Sequence, residues 1–148
     1  MRVSILVGLV FASLSSWALG PIPNGKYKGS QICSNKQGQQ IPPEEMEISF
    51  TDTAMSWGDT VKEFEIEGNG FFRLLHFQLS DAKEKTLAGK GRGFFSKFGM
   101  HFVAKLEVGG VKVAGQDTFF HTNGTLYLIS SASGFKCDGE FKKVREAR

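Results

Sequence analysis

The residues of this chain with the clearest capacity for chemistry are Asp117, Ser130 and His121. These three polar side chains are predicted to lie on one face of a sheet, among apolar residues. An acidic side chain on an apolar face is costly unless it is paired or hydrogen-bonded, so it favours a specific role. One interpretation is a polar anchor at the end of a ligand cavity. The other is a structural Asp117, turned to solvent by a β-bulge at Gly115-Gln116 or bonded to backbone amides at a barrel rim. Both interpretations stay open at the level of sequence.

The prediction of a shared face depends on two short turns, Gly109-Gly110 and Asn123-Gly124. Both dipeptides supply the positive φ angles that two-residue hairpin turns need, so they fix the register of three antiparallel strands within Met100–Ser131. The inward face predicted from this register consists of Met100, Phe102, Ala104, Leu106, Val108, Val111, Val113, Gly115, Asp117, Phe119, His121, Leu126, Leu128 and Ser130. The candidate ligand-binding residues among them are Phe102, Asp117, Phe119, His121, Leu128 and Ser130.

A row of glycines marks the preceding strand, Leu87–Phe95, in which Gly89, Gly91 and Gly93 alternate with two cations. Alternation places the glycines on one face of the strand. Missing side chains could leave room for a ligand, which makes Gly91 a further candidate ligand-binding residue. They could equally relieve strain where a barrel strand bends, or accept a neighbouring aromatic ring. The two interpretations are compatible.

The function class that the sequence supports least is an enzyme. His101 and His121 are predicted to point to opposite faces of the sheet, and His76 to pair outward with Glu63. No Ser or Cys nucleophile lies in a recognisable motif, and no metal-ligand spacing occurs. We therefore expect no catalytic residues, no cofactor and no metal. The net charge of +3, with acids and bases interspersed along much of the chain, is not a nucleic-acid-binding signature.

Residues 1–18 are predicted to form a secretory signal peptide. Arg2 gives a positive start, Val3–Leu14 is an apolar run too short to span a bilayer, and Ser16 and Ala18 fit the positions that precede a cleavage site. Cleavage after Ala18 leaves a single domain, residues 19–148, without a second apolar run of membrane length. The sequence thus predicts a secreted or periplasmic protein that does not span a membrane.

Two cysteines, Cys33 and Cys137, survive this cleavage. In an exported chain an even pair favours a disulfide over free thiols. The two lie in the first and last predicted strands, Gly25–Ser34 and Phe135–Val144. If the strands close into a barrel, the bridge joins neighbours at the seam.

The number and spacing of the strands predict an all-β fold, an antiparallel up-and-down β-barrel of roughly eight to ten strands with short connections. The competing fold is an immunoglobulin-type sandwich, whose Cys…Trp…Cys spacing Trp57 and Cys137 do not match. A hairpin is also predicted around Asn69-Gly70. A two-residue turn there places Phe64 opposite Leu75, Lys62 opposite Phe77, Glu63 opposite His76 and Glu67 opposite Phe72.

The start of the first strand, Gly25-Lys26-Tyr27, resembles the G-x-W motif that opens the barrel of lipocalins and related calycins, with Tyr27 in place of Trp. The last strand has no clear counterpart of the arginine that partners this Trp, since Arg145 and Arg148 lie at its end. The resemblance implies a lipocalin-like barrel with an apolar cavity, open at one end, that binds a small hydrophobic molecule. No catalytic residues carry over.

Two functions therefore stand beside each other. The first is an exported carrier of a small hydrophobic or amphipathic ligand. The second is a protein-interaction module, such as an inhibitor or envelope factor, that would bind a protein partner through the loops Asn35–Pro43 and Ser80–Lys85 or through charged faces. Acidic residues dominate Glu44–Glu67 and basic residues dominate Lys83–Lys112, so the two sides of the barrel are predicted to differ in charge.

Overall fold

The structure is a computed structural model that describes residues 22–68, 73–81, 87–96, 99–108 and 111–146. The strands are β1 (Gly25–Ser34), β2 (Gln40–Phe50), β3 (Ala54–Trp57), β4 (Thr60–Glu67), β5 (Arg73–Asp81), β6 (Leu87–Ser96), β7 (Gly99–Val108), β8 (Val111–Thr122), β9 (Thr125–Ala132) and β10 (Phe135–Lys143). Each strand pairs antiparallel with the next, and β1 also pairs with β10, which closes the barrel. The predicted fold class is confirmed. The predicted signal peptide, residues 1–18, lies outside the described residues.

A disulfide between Cys33 and Cys137 joins the first strand to the last, as predicted. The two residues lie directly opposite each other on β1 and β10, with their Cα atoms 4.0 Å apart. The bond therefore fastens the one seam where strands distant in sequence meet.

Strand β2 begins earlier than predicted, because residues 40–43 extend the strand and are not part of a loop. The register shifts between the pairs Gln31–Glu44 and Cys33–Ile41, so Pro42 and Pro43 sit at an irregular point of the ladder. On its other side β2 pairs with β3 only over residues 48–50. Within the described part of the chain, residues 40–43 therefore have no neighbouring strand on that side. Proline is tolerated at such a position because no partner strand needs its missing N–H.

The predicted register of the β4–β5 hairpin is wrong by two residues. Phe64 lies opposite Phe77, Lys62 opposite Leu79, Glu63 opposite Gln78, Glu65 opposite His76 and Glu67 opposite Leu74. The expected partner of Glu67, Phe72, lies outside the described residues. A two-residue turn at Asn69-Gly70 would place Glu67 opposite residue 72, whereas Glu67 pairs with Leu74. An even shift keeps every side chain on its face, so the inward residues of β4 were still predicted correctly.

The register of β7, β8 and β9 matches the prediction at every described pair. Asp117 lies opposite Phe102 on one side and Ser130 on the other, and the ladder runs without interruption through Gly115 and Gln116. The proposed bulge at Gly115-Gln116 is therefore wrong, and Asp117 points into the barrel. Two-residue turns leave a hairpin no freedom to slip, which is why this part of the prediction succeeded.

One end of the barrel is filled by aromatic side chains. Rings in T-shaped contact run from Tyr27 to Phe50, from Phe50 to Phe119 and from Phe119 to Phe102. Ile22 is buried in the same cluster. The Tyr27 hydroxyl donates a hydrogen bond to the Pro23 carbonyl at 2.7 Å, and burial raises the pKa of Tyr27 to about 12. We call this the closed end, because the segment 22–24 lies over it.

No helix among the described residues is long and apolar enough to cross a bilayer.

Candidate functional site in the barrel interior

An ion pair between a buried lysine and a partly exposed aspartate lies across the interior of the barrel. The Lys62 Nζ on β4 is 3.2 Å from the Asp117 Oδ2 on β8, and these strands are separated by three others in one direction and five in the other. Ser130 Oγ donates a hydrogen bond to Asp117 Oδ1 at 2.6 Å. Asp117 and Ser130, two of the predicted site residues, are therefore brought together, and a lysine completes the group.

Three aromatic rings surround the Lys62 ammonium. Its Nζ lies 4.4 Å from the ring centroid of Phe102, 4.7 Å from that of Phe77 and 5.5 Å from that of Trp57. Ring faces attract cations at these distances. Burial lowers the pKa of Lys62, while the charge of Asp117 and its hydrogen bond act in the opposite direction. The rings and the carboxylate together compensate the ammonium for its lost hydration.

The two members of the ion pair differ in exposure. The Lys62 side chain is 3% exposed, whereas 28% of the Asp117 side chain is exposed although it points inward. Partly exposed, inward-facing residues continue from Asp117 to the disulfide. We call this set the cup; its members are Gln31, Cys33, Val113, Gly115, Asp117, Ser130, Ala132, Cys137 and Gly139. Most have small side chains, whereas the closed end is packed with aromatic rings.

His121 does not belong to this group. It faces inward opposite Leu126, as predicted, but it lies at the closed end, roughly 13 Å along β8 from Asp117. Its ring contacts Tyr27 at a centroid distance of 5.9 Å, and its Nε2 is buried without a hydrogen-bond partner. Burial lowers the pKa of His121, and the nearby charge of Lys143 lowers it further.

The other histidines lie on the outside of the barrel. His101 bonds to Thr118 through Nδ1 at 2.8 Å, so it faces away from His121 as predicted. His76 is exposed as predicted, but its partner is Glu67, at 3.4 Å, instead of Glu63.

Three apolar candidates, Phe102, Phe119 and Leu128, are buried in the core. Phe102 reaches the site through its contact with Lys62.

Gly91 does not open space for a ligand. A Cβ on this glycine would lie 2.5 Å from the Phe77 ring and 2.5 Å from the Val103 carbonyl oxygen. The ring of Phe77 thus occupies the room that the missing side chain leaves. This favours the second interpretation of the glycine row.

Lys62 is the site residue that the sequence analysis missed. It alternates with Phe64 and Ile66 on an inward face, and it is the one cation in the acidic segment Glu44–Glu67. Both signals were visible in the sequence. Its position opposite Asp117 was not, because the contact depends on how the two walls face each other across the closed barrel.

Two of the grooves that the described residues form lie on the wall of the barrel. The larger, about 840 Å³, follows the outer face of β3 to β7, where Glu63 and Glu65 stand on one side and Arg92 and Lys105 on the other. The smaller, about 480 Å³, lies where β3 is too short to cover β2, and it is lined by residues that include Glu44, Met46 and Trp57.

The loops predicted to contact a partner are only partly described. Asn35 shapes its turn by accepting hydrogen bonds from the backbone N–H groups of Gln37 and Gln39, each at 3.0 Å. Ser80 and Asp81, predicted to begin the second loop, belong instead to β5, and residues 82–85 of that loop lie outside the described residues.

Within the described ranges, no group of three or more His, Cys, Asp or Glu residues is placed to hold a metal ion. No family model matches the chain, and no curated protein matches it significantly. The lipocalin relation therefore stays a prediction. Among solved structures, the chain is similar to a redesigned β-barrel, mFAP1, bound to DFHBI. The two share 13% identity at a TM-score of 0.39, over 85% of this chain and 98% of that one.

Proposed function

We propose that this protein is an exported, lipocalin-like, non-enzymatic binding protein that takes a small hydrophobic or amphipathic ligand into the cup. The observation that carries the proposal is the exposure of Asp117, 28% of whose side chain remains accessible although it points into the barrel. A side-chain-filled interior would have covered it.

The shape of the interior supports this proposal. Aromatic rings close one end, whereas the disulfide end is lined by small groups that include Gly115, Ser130 and Ala132. Ligand sites in barrels are typically concave and mainly apolar, with a few polar groups that fix orientation. The floor of the cup has such a group in Asp117 and Ser130.

Export agrees with the disulfide between Cys33 and Cys137. Disulfides persist in oxidising compartments and are rare in the cytosol.

A pair of matched substitutions tests ligand binding in the cup. Ala132 faces inward opposite Gly115, and Ala114 is exposed on the outer face of β8. Ala132→Phe fills the cup, and Ala114→Phe adds the same ring outside it. Binding is measured by native mass spectrometry and by titration with a fluorescent probe that has an alkyl chain and an uncharged polar end, after circular dichroism has shown that both variants fold.

The wild type and Ala114→Phe are expected to bind one probe molecule, and Ala132→Phe to lose it. No binding by the wild type, or equal binding by Ala132→Phe, would overturn the proposal.

A second candidate function, binding of a protein partner, rests on the outer groove of β3 to β7. Its walls carry opposite charges, and Val103, opposite Arg92 on the basic side, is 53% exposed. The test is a pull-down from secreted or envelope fractions with Val103→Glu as the comparison. A stoichiometric partner that the wild type retains and Val103→Glu loses favours this function over ligand transport.

A further inference from the structure

We propose that the ligand of the cup is an uncharged amphipath whose polar end donates a hydrogen bond to Asp117. This inference rests on the proposed function and names the chemical class of its ligand. It follows from the hydrogen-bonding groups of Lys62, Asp117 and Ser130 at the floor of the cup, and from the sum of the charges of Lys62 and Asp117.

The floor offers acceptors. A carboxylate has about four lone-pair sites. Lys62 uses one on Oδ2 and Ser130 uses one on Oδ1, so about two remain on Asp117. Since the Ser130 hydroxyl donates its hydrogen to Asp117, its oxygen can only accept from a ligand. The Lys62 ammonium, the strongest donor nearby, is 3% exposed behind three aromatic rings.

The charge of the floor favours a neutral ligand. Lys62 and Asp117 carry opposite unit charges at 3.2 Å and sum to zero. A ligand carboxylate would face the exposed Asp117 oxygens and be repelled. A ligand ammonium would place a second cation beside Lys62. Either charge would lose its hydration without an unpaired counter-charge, because Lys62 and Asp117 already balance each other, and this loss is costly in a shielded site. A hydroxyl or amide N–H avoids both costs.

The walls suit an apolar body. Gly115 and Ala132 are small, and Val113 and the disulfide add apolar surface. A chain of methylene groups fits between such walls because burial of apolar area drives its association. The inferred class is therefore a long-chain alcohol or a similar neutral lipid.

Four probes built on a ten-carbon chain test the inference: decanol, decanoic acid, decylamine and decyl methyl ether. They share the apolar body and differ at the polar end. Affinities are measured for the wild type by isothermal titration calorimetry, with Ala132→Phe as the blank for binding outside the cup. Decanol is expected to bind about tenfold more tightly than the ether, which cannot donate, and more tightly than both charged probes.

The outcomes separate the two proposals. If no probe binds the wild type above the Ala132→Phe blank, the proposed function fails. If the acid binds most tightly, or the ether equals the alcohol, the cup binds ligands but the inference about their polar end is wrong.

Lys62→Met gives an independent test, because it leaves the charge of Asp117 without its cation. Decylamine should then become the preferred probe, its ammonium taking the place of Lys62. An unchanged preference in the folded variant would show that the ligand does not contact Asp117. If Lys62→Met does not fold, the affinities of the wild type for the four probes decide which polar end the cup prefers.

Discussion

Lys62 and Asp117 lie 55 residues apart in the sequence and meet across the interior of the barrel at 3.2 Å. Their strands share no backbone hydrogen bonds, so the contact ties two opposite walls together. It also divides the interior. Aromatic rings lie around the lysine, and the accessible cup begins at the carboxylate.

Removing the carboxylate should cost more than removing the ammonium. Asp117→Leu leaves the Lys62 cation buried without its counter-charge, and we expect a loss of about 3 kcal/mol in the free energy of unfolding. Lys62→Met leaves Asp117 partly exposed and still bonded to Ser130, so its loss should be less than half as large. Urea unfolding at neutral pH measures both.

The double variant provides the control for this pair. Asp117→Leu combined with Lys62→Met should be more stable than Asp117→Leu alone, because no unpaired charge remains. Simple addition of the two single losses would contradict the coupling.

Loss of the disulfide should destabilise the barrel strongly. The bond closes a loop with a sequence separation of 104 residues. The chain-entropy model gives about 4–5 kcal/mol for such a loop. The double variant Cys33→Ser, Cys137→Ser should therefore unfold at a much lower urea concentration than the oxidised wild type. The reduced wild type is the control and should match the double variant; a large difference would point to damage by the serines themselves.

His121 should make the stability depend on pH. Its pKa in the folded protein lies below the ordinary value of 6.5, so the unfolded chain takes up the proton first. This linkage leaves the free energy of unfolding unchanged well above pH 6.5. It lowers that free energy as the pH falls from about 6.5 towards the lowered pKa of the folded protein. His121→Phe keeps a ring beside Tyr27 and removes the unpartnered Nε2. It should lose less stability than the wild type between about pH 7.5 and pH 5.5 in thermal unfolding.

The exposed His76 supplies the comparison for this pH effect. His76→Gln should keep the pH profile of the wild type. If His121→Phe also keeps it, the linkage assigned to His121 is wrong.

Two glycines should respond differently to the same added methyl group. Gly91→Ala places a Cβ against the Phe77 ring and the Val103 carbonyl, and we expect a loss of roughly 1–3 kcal/mol. Gly115→Ala meets the Ala132 Cβ at 3.3 Å, a contact that a small shift relieves. Its unfolding midpoint should stay near that of the wild type. Equal losses would show that the ring does not fill the space over Gly91.

Sequence sufficed where local chemistry fixes geometry. The Asn123-Gly124 turn gives a positive φ at both residues, and it set the pairing of β8 with β9 and hence the direction of Asp117. The two cysteines, Cys33 and Cys137, likewise sufficed to predict the disulfide and the pairing of the first strand with the last.

Sequence failed where geometry depends on distant parts of the chain. The described pairs of β4 and β5 are shifted by two residues from the register that a turn at Asn69-Gly70 predicts, so the predicted partner of Phe64 is wrong. The contact of Lys62 with Asp117 depends on the curvature of the whole barrel, which no local pattern contains. His121 and Asp117 point to the same face of β8, but they lie four residues apart along it. The direction of the side chains alone did not show that the two belong to different ends of the interior.

The seam between β1 and β10 has a consequence for how the chain is made. Every other strand pairs with a neighbour that leaves the ribosome directly before or after it. Strand β1 emerges first of these and waits for a partner that emerges last. Cys33 cannot be oxidised against its native partner until synthesis has reached Cys137. The bond therefore distinguishes a chain that extends through Cys137 from one truncated before it.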